Sequence, residues 1–391
     1  MTMEQRISER VKEVPPSGIR KFFDIASEMK DCISLGVGEP DFDTPWNIRE
    51  SAIYALEAGR THYTSNHGST ELRKAIRDYF DMRFGLCYEI SQIVATVGAS
   101  EGLDLAFRAI MNPGDEVIVP APSYVAYMPG VSFAGGTPVP MVLKEEDDFR
   151  ITPESLKSAI TKKSKAVIIA FPNNPTGAIM TKEDYEKIAD IIIEHDLIVI
   201  ADEVYAELSY DKQHFSIAQL PGMQERTIVI SGFSKAFAMT GFRLGYAAGP
   251  KPLIDAMVKI HQYSMLCAAS MSQEAGVEAL RYECSHGFPQ VNKMVGEYNR
   301  RRRLMYTSLN EMGLKCFEPL GAFYIFPNIS STGLNSDEFC KRLLYEKKVA
   351  CVPGTAFGDT VDNFIRCSYA SSLENLKEAL SRIKSFVESL K

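Results

Sequence analysis

The sequence lacks several patterns that would assign its 391 residues to other classes of protein. No window approaches the roughly 18 consecutive apolar residues that a membrane-spanning helix needs, so no membrane partner is expected. The six histidines are dispersed and form no HExxH or similar ligand spacing, so no metal site is predicted. A GK[ST] phosphate loop is also missing, so a nucleoside triphosphate is not implied.

Cysteine is present but follows no pattern, since the eight cysteines are scattered and form no CxxC pair. Several have apolar neighbours, such as Cys351, and this predicts buried free thiols in a reducing, cytoplasmic compartment. The first residues, Met-Thr-Met-Glu-Gln-Arg, are polar and predict no signal peptide. Lysine and arginine number 43 against 50 acidic residues, and the net charge of −7 argues against a nucleic-acid partner.

The composition is typical of a globular protein, with 45% hydrophobic and 24% charged residues. A chain of 391 residues is too long for one ordinary core, which favours two domains. Strand-like and helix-like segments alternate through the middle of the chain. This alternation predicts a mostly parallel sheet covered by helices.

One lysine lies among small residues in the stretch from Ser231 to Tyr246. An apolar run at 227–230 predicts a buried strand that leads into it. Burial of the Lys235 stem would lower the pKa of its ammonium group. The free amine could then attack a carbonyl and hold an aldehyde as a Schiff base. Arg243, eight residues further on, offers a fixed cation for a phosphate.

This stretch resembles the pyridoxal-phosphate lysine signature of the class I/II aminotransferases, with a small-x-small-Lys pattern at 232–235 and Gly-x-Arg-Leu-Gly at 241–245. Asn-Pro-Thr-Gly at 174–177 is a second strong signature of this family. The resemblance extends from about Ser17 to the last helix. It is strongest to the aspartate and aromatic-amino-acid aminotransferases of prokaryotes.

The resemblance implies the fold type I of pyridoxal-phosphate-dependent transferases. That fold has a large domain, with a mostly parallel seven-stranded sheet sandwiched by helices, and a smaller α/β domain. Residues 46–288 would form the large domain, while residues 1–45 and 289–391 would form the small one. One antiparallel strand is expected around Leu244–Gly249.

The resemblance also implies pyridoxal 5′-phosphate as cofactor. Asp202 closes a fully apolar strand, where a carboxylate is costly without a cationic partner, and a protonated pyridine nitrogen would be such a partner. The family places Asn174 and Tyr205 at the ring oxygen and an aromatic residue, here Tyr124, against the ring. The cofactor-binding set implied is Ala99, Ser100, Tyr124, Asn174, Asp202, Tyr205, Lys235, Arg243 and, from the other subunit, Tyr63.

The phosphate would lie at a predicted helix start, where the free backbone amides of Ala99 and Ser100 form an anion site beside the Arg243 guanidinium. Many relatives have a phosphate-binding serine three residues before the lysine, but this chain has Gly232 there. Ser231 and Ser234 are both candidates to replace it. If Tyr63 reaches the phosphate of the other subunit, the protein is a homodimer with shared active sites.

The implied activity is transfer of an amino group from an L-amino acid, aspartate or an aromatic donor, to a 2-oxo acid such as 2-oxoglutarate. The catalytic residues would be Lys235, Asp202 and Tyr205. Gly38, Asn174 and Arg366 would bind the substrate, because a planar guanidinium suits bidentate capture of the α-carboxylate.

Two other functions stay open at this point. A carbon–sulfur β-lyase on the same fold would keep every cofactor residue, and a non-enzymatic binding protein could use the same scaffold. The choice of amino donor also stays open. Arg20 and Lys21 are candidate cations for an acidic side chain, and Tyr63, Phe323 and Met239 are candidates to contact an aromatic one.

Overall fold

The computed structural model describes residues 2–15 and 29–390. Arg20 and Lys21, the candidate cations for an acidic substrate, lie outside the described residues. Twelve strands occur in the described part of the chain: β1 (Ile33–Ser34), β2 (Ile93–Thr96), β3 (Glu116–Ala121), β4 (Thr137–Val142), β5 (Ser164–Ala170), β6 (Ile198–Asp202), β7 (Thr227–Gly232), β8 (Gly245–Ala248), β9 (Tyr324–Ile325), β10 (Val349–Ala350), β11 (Val352–Pro353) and β12 (Ile365–Ser368).

The α-helices of the same described ranges alternate with these strands. They are α1 (Glu9–Glu13), α2 (Trp46–Glu57), α3 (Thr70–Phe84), α4 (Gly98–Ile110), α5 (Tyr127–Phe133), α6 (Pro153–Ala159), α7 (Lys182–Glu194), α8 (Phe233–Ala236), α9 (Lys251–Ser264), α10 (Ser270–His286), α11 (Pro289–Glu311), α12 (Ser336–Lys347) and α13 (Leu373–Ser389). None of them is long and apolar enough to cross a membrane.

Seven strands form the central sheet, in the order β2-β8-β7-β6-β5-β3-β4. β8 runs antiparallel to both of its neighbours, and the other pairs are parallel. The prediction of a mostly parallel seven-stranded sheet is therefore confirmed. The antiparallel strand also lies where it was expected, at Gly245–Ala248.

Helices cover both faces of this sheet. Alternate residues of a strand point to opposite faces, and in β2 Ile93 and Val94 belong to two different apolar clusters. One cluster contains residues of α4 and α9, and the other contains residues of α3, α7 and α10. Because the parallel strands are buried on both faces of the sheet, their sequences are nearly continuous runs of apolar residues.

Two smaller sheets lie beside a third apolar cluster. β11, β12 and β9 pair antiparallel, and β1 pairs with β10 in parallel. The cluster contains residues of α11, α12 and α13, including Met305, Phe339 and Ile383. β5, β6 and β7 of the central sheet end at one common edge, and parallel α/β sheets bind their ligands at this edge.

Candidate active site

A cavity of about 520 Å³ opens at the carboxyl edge of the central sheet. Ten of the eleven residues predicted from the sequence line it: Gly38, Ala99, Ser100, Tyr124, Asn174, Asp202, Tyr205, Lys235, Arg243 and Arg366. The eleventh, Tyr63, lies on the surface of the chain with 82% of its area exposed. The chain therefore brings residues from widely separated segments into one site.

Lys235 follows β7 in the short helix α8 and reaches into the cavity. Its ammonium Nζ donates a hydrogen bond to the backbone oxygen of Gly38 at 2.5 Å. Burial lowers the pKa of Lys235 to about 8, although the nearby Glu39 carboxylate favours the charged form. The lysine thus exchanges readily between ammonium and free amine, as its place at the end of a buried strand predicts.

Asp202 ends β6 at the floor of the cavity and is 6% exposed. One carboxylate oxygen accepts a hydrogen bond from the Tyr127 hydroxyl at 2.7 Å, and the other accepts from the Val204 amide at 3.3 Å. Both donors are neutral, and burial raises the pKa of Asp202 to about 6 despite them. The site thus has a buried carboxylate that a cation would stabilise strongly.

Ala99 and Ser100 lie in the first turn of α4, where backbone N–H groups have no partner within the helix. The preceding Gly98 has φ +73°, and a Cβ there would lie 2.5 Å from Nη2 of Arg243. Glycine at this position therefore lets the guanidinium approach the helix start. Amides and a guanidinium together form a site for a doubly charged anion.

The glycine three residues before the lysine has a packing reason. A Cβ at Gly232 would lie 3.1 Å from the backbone of both Leu244 and Gly245 in the neighbouring strand segment. Of the two candidate serines, Ser231 donates its hydroxyl hydrogen bond to the Glu203 carbonyl at 3.3 Å. Ser234 lines the cavity, and Ser231 is not among its lining residues.

Arg366 lies in β12 at the opposite end of the cavity and is 3% exposed. Its Nη1 donates to the side-chain oxygen of Asn174 at 2.8 Å, and its Nη2 donates to the Gly36 carbonyl. The buried Nε has no hydrogen-bond partner. A guanidinium carries five N–H groups, so several remain for a carboxylate. Because the Asn174 oxygen is engaged, its NH₂ group is left to donate.

The segment that contains the residues of the cavity matches a known protein family. Residues 30–383 match the family described as aminotransferase class I and II. The chain belongs to this family. It is 49% identical over 380 residues to the aspartate aminotransferase of Pyrococcus abyssi, and the match covers 97% of each protein.

Two further relatives agree with this assignment. The aminotransferase is 45% identical over 387 residues to aromatic-amino-acid aminotransferase 2 of Thermococcus litoralis, across 98% of this chain and 99% of that protein. Its structure superimposes with a TM-score of 0.92 on the aspartate aminotransferase from Thermus thermophilus with maleate. That pair is 40% identical and covers 97% and 99% of the two chains. The enzyme is therefore a pyridoxal-phosphate-dependent aminotransferase of fold type I.

The cavity of this aminotransferase fits its cofactor. At one end, the helix start at Ala99 and the Arg243 guanidinium suit a phosphate dianion. At the floor, the Asp202 carboxylate lacks a cationic donor and suits a protonated pyridine nitrogen. Between them, Lys235 supplies an amine of lowered pKa. The three features correspond to three chemical groups of pyridoxal phosphate.

Two tyrosines of the site were missed by the sequence analysis. Tyr127, three residues after Tyr124 and the first residue of α5, donates to Asp202, and no local sequence signal indicates this bond. The hydroxyl of Tyr324 lies 2.8 Å from the hydroxyl of Tyr205, and the Arg366 guanidinium lies 4.5 Å above the Tyr324 ring. Tyr324 thus connects Tyr205, which is expected to bind the ring oxygen of the cofactor, to Arg366, which is expected to bind the substrate carboxylate.

Two residues considered for aromatic substrates have other contacts. Phe323 and Met239 are fully buried in apolar clusters and do not line the cavity. Tyr324 lines the cavity, whereas the preceding Phe323 packs against the rings of Tyr205 and Tyr298 in an apolar cluster. Tyr63, the third candidate, is exposed on the surface.

Proposed function

We propose that this aminotransferase moves the amino group of aspartate or of an aromatic L-amino acid to a 2-oxo acid, with 2-oxoglutarate as acceptor. The observation that carries the proposal is the cavity in which an amine of lowered pKa, Lys235, lies together with a partly unsatisfied guanidinium, Arg366. The donor classes are those in the names of the two relatives from Pyrococcus and Thermococcus. A carbon–sulfur β-lyase is not favoured, because these relatives are named aminotransferases.

Lys235 has two roles in this proposal. With pyridoxal phosphate bound, its amine would hold the aldehyde of the cofactor, and as a free amine it would accept the proton of the substrate α-carbon and donate it back. The bound pyridoxal phosphate supplies an electron sink for the charge left on the α-carbon. A pKa of about 8 suits the lysine to both accepting and donating the proton near neutral pH.

The residues around the ring keep the cofactor oriented and charged. Asp202 would keep the pyridine nitrogen of the bound cofactor protonated, and Tyr127 holds the carboxylate in place. The hydroxyl of Tyr205 and the amide of Asn174 would bind the ring oxygen, and Tyr124 would contact the ring. The backbone amides of Ala99 and Ser100, the hydroxyls of Ser100 and Ser234, and Arg243 would hold the phosphate.

Arg366 binds the α-carboxylate of the substrate, helped by Asn174 and by the backbone at Gly38. Its unpartnered Nε and its remaining Nη hydrogens provide the donors for a charge-assisted pair. In the present structure Lys235 donates to the Gly38 carbonyl, so the lysine and the carboxylate site are already adjacent. The arginine therefore fixes the α-carbon beside the amine that deprotonates it.

The domain division proposed is 46–288 for the large domain and 1–45 with 289–391 for the small one. The seven-stranded sheet lies wholly within the first range, and the strands of the smaller sheets lie wholly within the second. Limited proteolysis that leaves a fragment of about residues 46–288 would support the division. Cleavage confined to the interior of that range would contradict it.

The protein is proposed to be a homodimer in which Tyr63 reaches the phosphate of the partner. Support comes from four exposed aromatic side chains, since Trp46, Tyr54, Tyr63 and Tyr263 are 59%, 59%, 82% and 86% exposed. Sedimentation should give about twice the chain mass of 43.5 kDa. Replacing Tyr63 with phenylalanine should weaken cofactor binding roughly tenfold and leave that mass unchanged. A monomeric active enzyme, or unchanged affinity, would contradict the shared site.

A cytoplasmic location is also proposed, because all eight cysteines are free thiols, four of them buried. Cell fractionation that places the activity with cytosolic markers would support this location.

Steady-state kinetics tests the substrate proposal. With 2-oxoglutarate as acceptor, kcat/KM should be within about tenfold for aspartate and phenylalanine and should reach the range typical of enzymes, about 10⁴ M⁻¹s⁻¹ or more, for at least one of them. Cystathionine, a β-lyase substrate, serves as the matched control and should release no pyruvate. Activity with neither donor, or pyruvate release from cystathionine, would contradict the proposal.

A further inference from the structure

Glu101 is a buried acid one residue after the amides that are proposed to bind the phosphate. Its side chain is 8% exposed. One carboxylate oxygen accepts the backbone N–H of Val97 at 2.5 Å, and the other accepts from Nδ1 of His261 at 2.7 Å. The acid therefore fastens the residue before the helix to the neighbouring helix α9.

The helix dipole favours an acid at this position, but the acid is unfavourable by charge for the binding of a phosphate. A carboxylate in the first turn of α4 uses the positive end of the same helix dipole that the proposed phosphate uses, and the two negative charges repel each other. Its geometry gives another reason for its presence. Val97 is the N-cap residue of α4 and provides no side-chain cap. Glu101 accepts the Val97 amide and not the amides of Ala99 and Ser100, two residues that line the cavity.

His261 supports the acid from α9. Its side chain is fully buried, and its Nε2 has no hydrogen-bond partner. Because Nδ1 faces a carboxylate, the ring proton belongs on Nδ1. The histidine is thus arranged to donate from Nδ1 to Glu101.

We infer that Glu101 and His261 are positioning residues, which hold the turn Val97–Ser100 in the shape that binds the cofactor phosphate. A turn already held in its binding shape loses less entropy when the anion binds. Gly98 makes this restraint necessary, since its φ of +73° lies in a region that glycine can leave freely. The inference rests on the proposed role of Ala99 and Ser100 at the phosphate.

The test compares two ligands that differ only in the phosphate. Association constants for pyridoxal phosphate and for pyridoxal are measured by titrating the full-length apoprotein. The ratio of the first constant to the second is then compared between variants. In Glu101→Ala, pyridoxal phosphate should bind about tenfold more weakly, because its anion site has lost its restraint, while the affinity for pyridoxal should not change. A general loss of structure would weaken both ligands equally, so the ratio of the two constants separates positioning from folding.

Four further variants complete the test. Glu283 is also a buried acid that accepts backbone N–H groups, from Gln290 and Val291 at 3.3 Å each, but it lies outside the cavity. Glu283→Ala should leave the ratio unchanged. His261→Asn keeps a donor near the Nδ1 position and should retain the ratio, whereas His261→Leu should lower it. If Glu101→Ala folds poorly, Glu101→Gln keeps the volume and should shift the ratio in the same direction.

The outcomes separate this inference from the proposed function. An unchanged ratio in Glu101→Ala, or tighter binding of pyridoxal phosphate, would overturn the positioning role while the wild-type enzyme still binds its cofactor. Equal affinity of the wild-type protein for pyridoxal and pyridoxal phosphate would instead overturn the phosphate site at Ala99 and Ser100, and the positioning role with it.

Discussion

Replacing Lys235 with alanine should reduce the rate of transamination on the order of 10⁴-fold, because the variant loses both the covalent attachment and the base for the α-proton. The fold should persist, since the Lys235 amine makes one hydrogen bond within residues 2–15 and 29–390, to the Gly38 carbonyl. Cofactor should still bind through Arg243, Asp202 and the start of α4, but more weakly. Steady-state kinetics, with circular dichroism as a check of folding, measures the effect.

The matched control is Lys235→Arg, which keeps a cation in the same place. A guanidinium does not give up its proton in proteins, so this variant should be nearly as inactive as Lys235→Ala. Added small amines should restore part of the activity to the alanine variant, because they can carry the proton in place of the side chain. A loss of less than about tenfold in both variants would contradict the role of Lys235 as base.

Replacing Asp202 with asparagine should have the second largest effect, a decrease in kcat of roughly 10² to 10³-fold. The estimate follows from the cost of removing one partner of a buried charge pair, about 3–5 kcal/mol. Without the carboxylate, the pyridine nitrogen would lose its proton and the ring would accept electrons poorly. Steady-state kinetics on cofactor-saturated enzyme measures the loss.

Asp202→Asn should make the apoprotein more stable, although it lowers the activity of the enzyme. Burial raises the pKa of Asp202 from 3.8 to about 6, so the folded apoprotein binds this proton more tightly than the unfolded chain does. The contribution of this group to stability is therefore greatest below pH 3.8 and is lost as pH rises through about 6. Asp202→Asn removes the penalty, so its apoprotein should have a higher Tm than wild type at neutral pH. An active variant, or one less stable without cofactor, would contradict the assignment.

The sequence predicted those parts of the site whose chemistry is visible locally. Lys235 among small residues and Asp202 at the end of an apolar strand can each be recognised without knowing their neighbours, and the parallel sheet brings strand ends together. The hydrogen bonds of the tyrosine hydroxyls in the site could not be predicted in this way. Tyr127 and Asp202 are 75 residues apart, and Tyr205 and Tyr324 are 119 apart. Nothing in either local sequence indicates the partner.

Tertiary contacts also overrode a local rule at the start of α2. Thr44 followed by Pro45 predicts an N-cap and the first helical residue. The helix begins instead at Trp46, with Pro45 at the N-cap position. The Thr44 hydroxyl donates to the carbonyl of Ala238, near the catalytic lysine, at 2.5 Å. The residue ties the N-terminal segment to the active-site loop, a contact that only the folded chain provides.

The most direct test of the central claim is the visible absorption spectrum of the purified protein with pyridoxal phosphate, recorded before and after addition of aspartate and then phenylalanine. Lys235 should bind the cofactor and produce a visible band, and at least one donor should remove that band without any acceptor present, since the amino group then stays on the cofactor. A protein that stays colourless with pyridoxal phosphate, or a band that neither donor alters, would contradict transamination through Lys235.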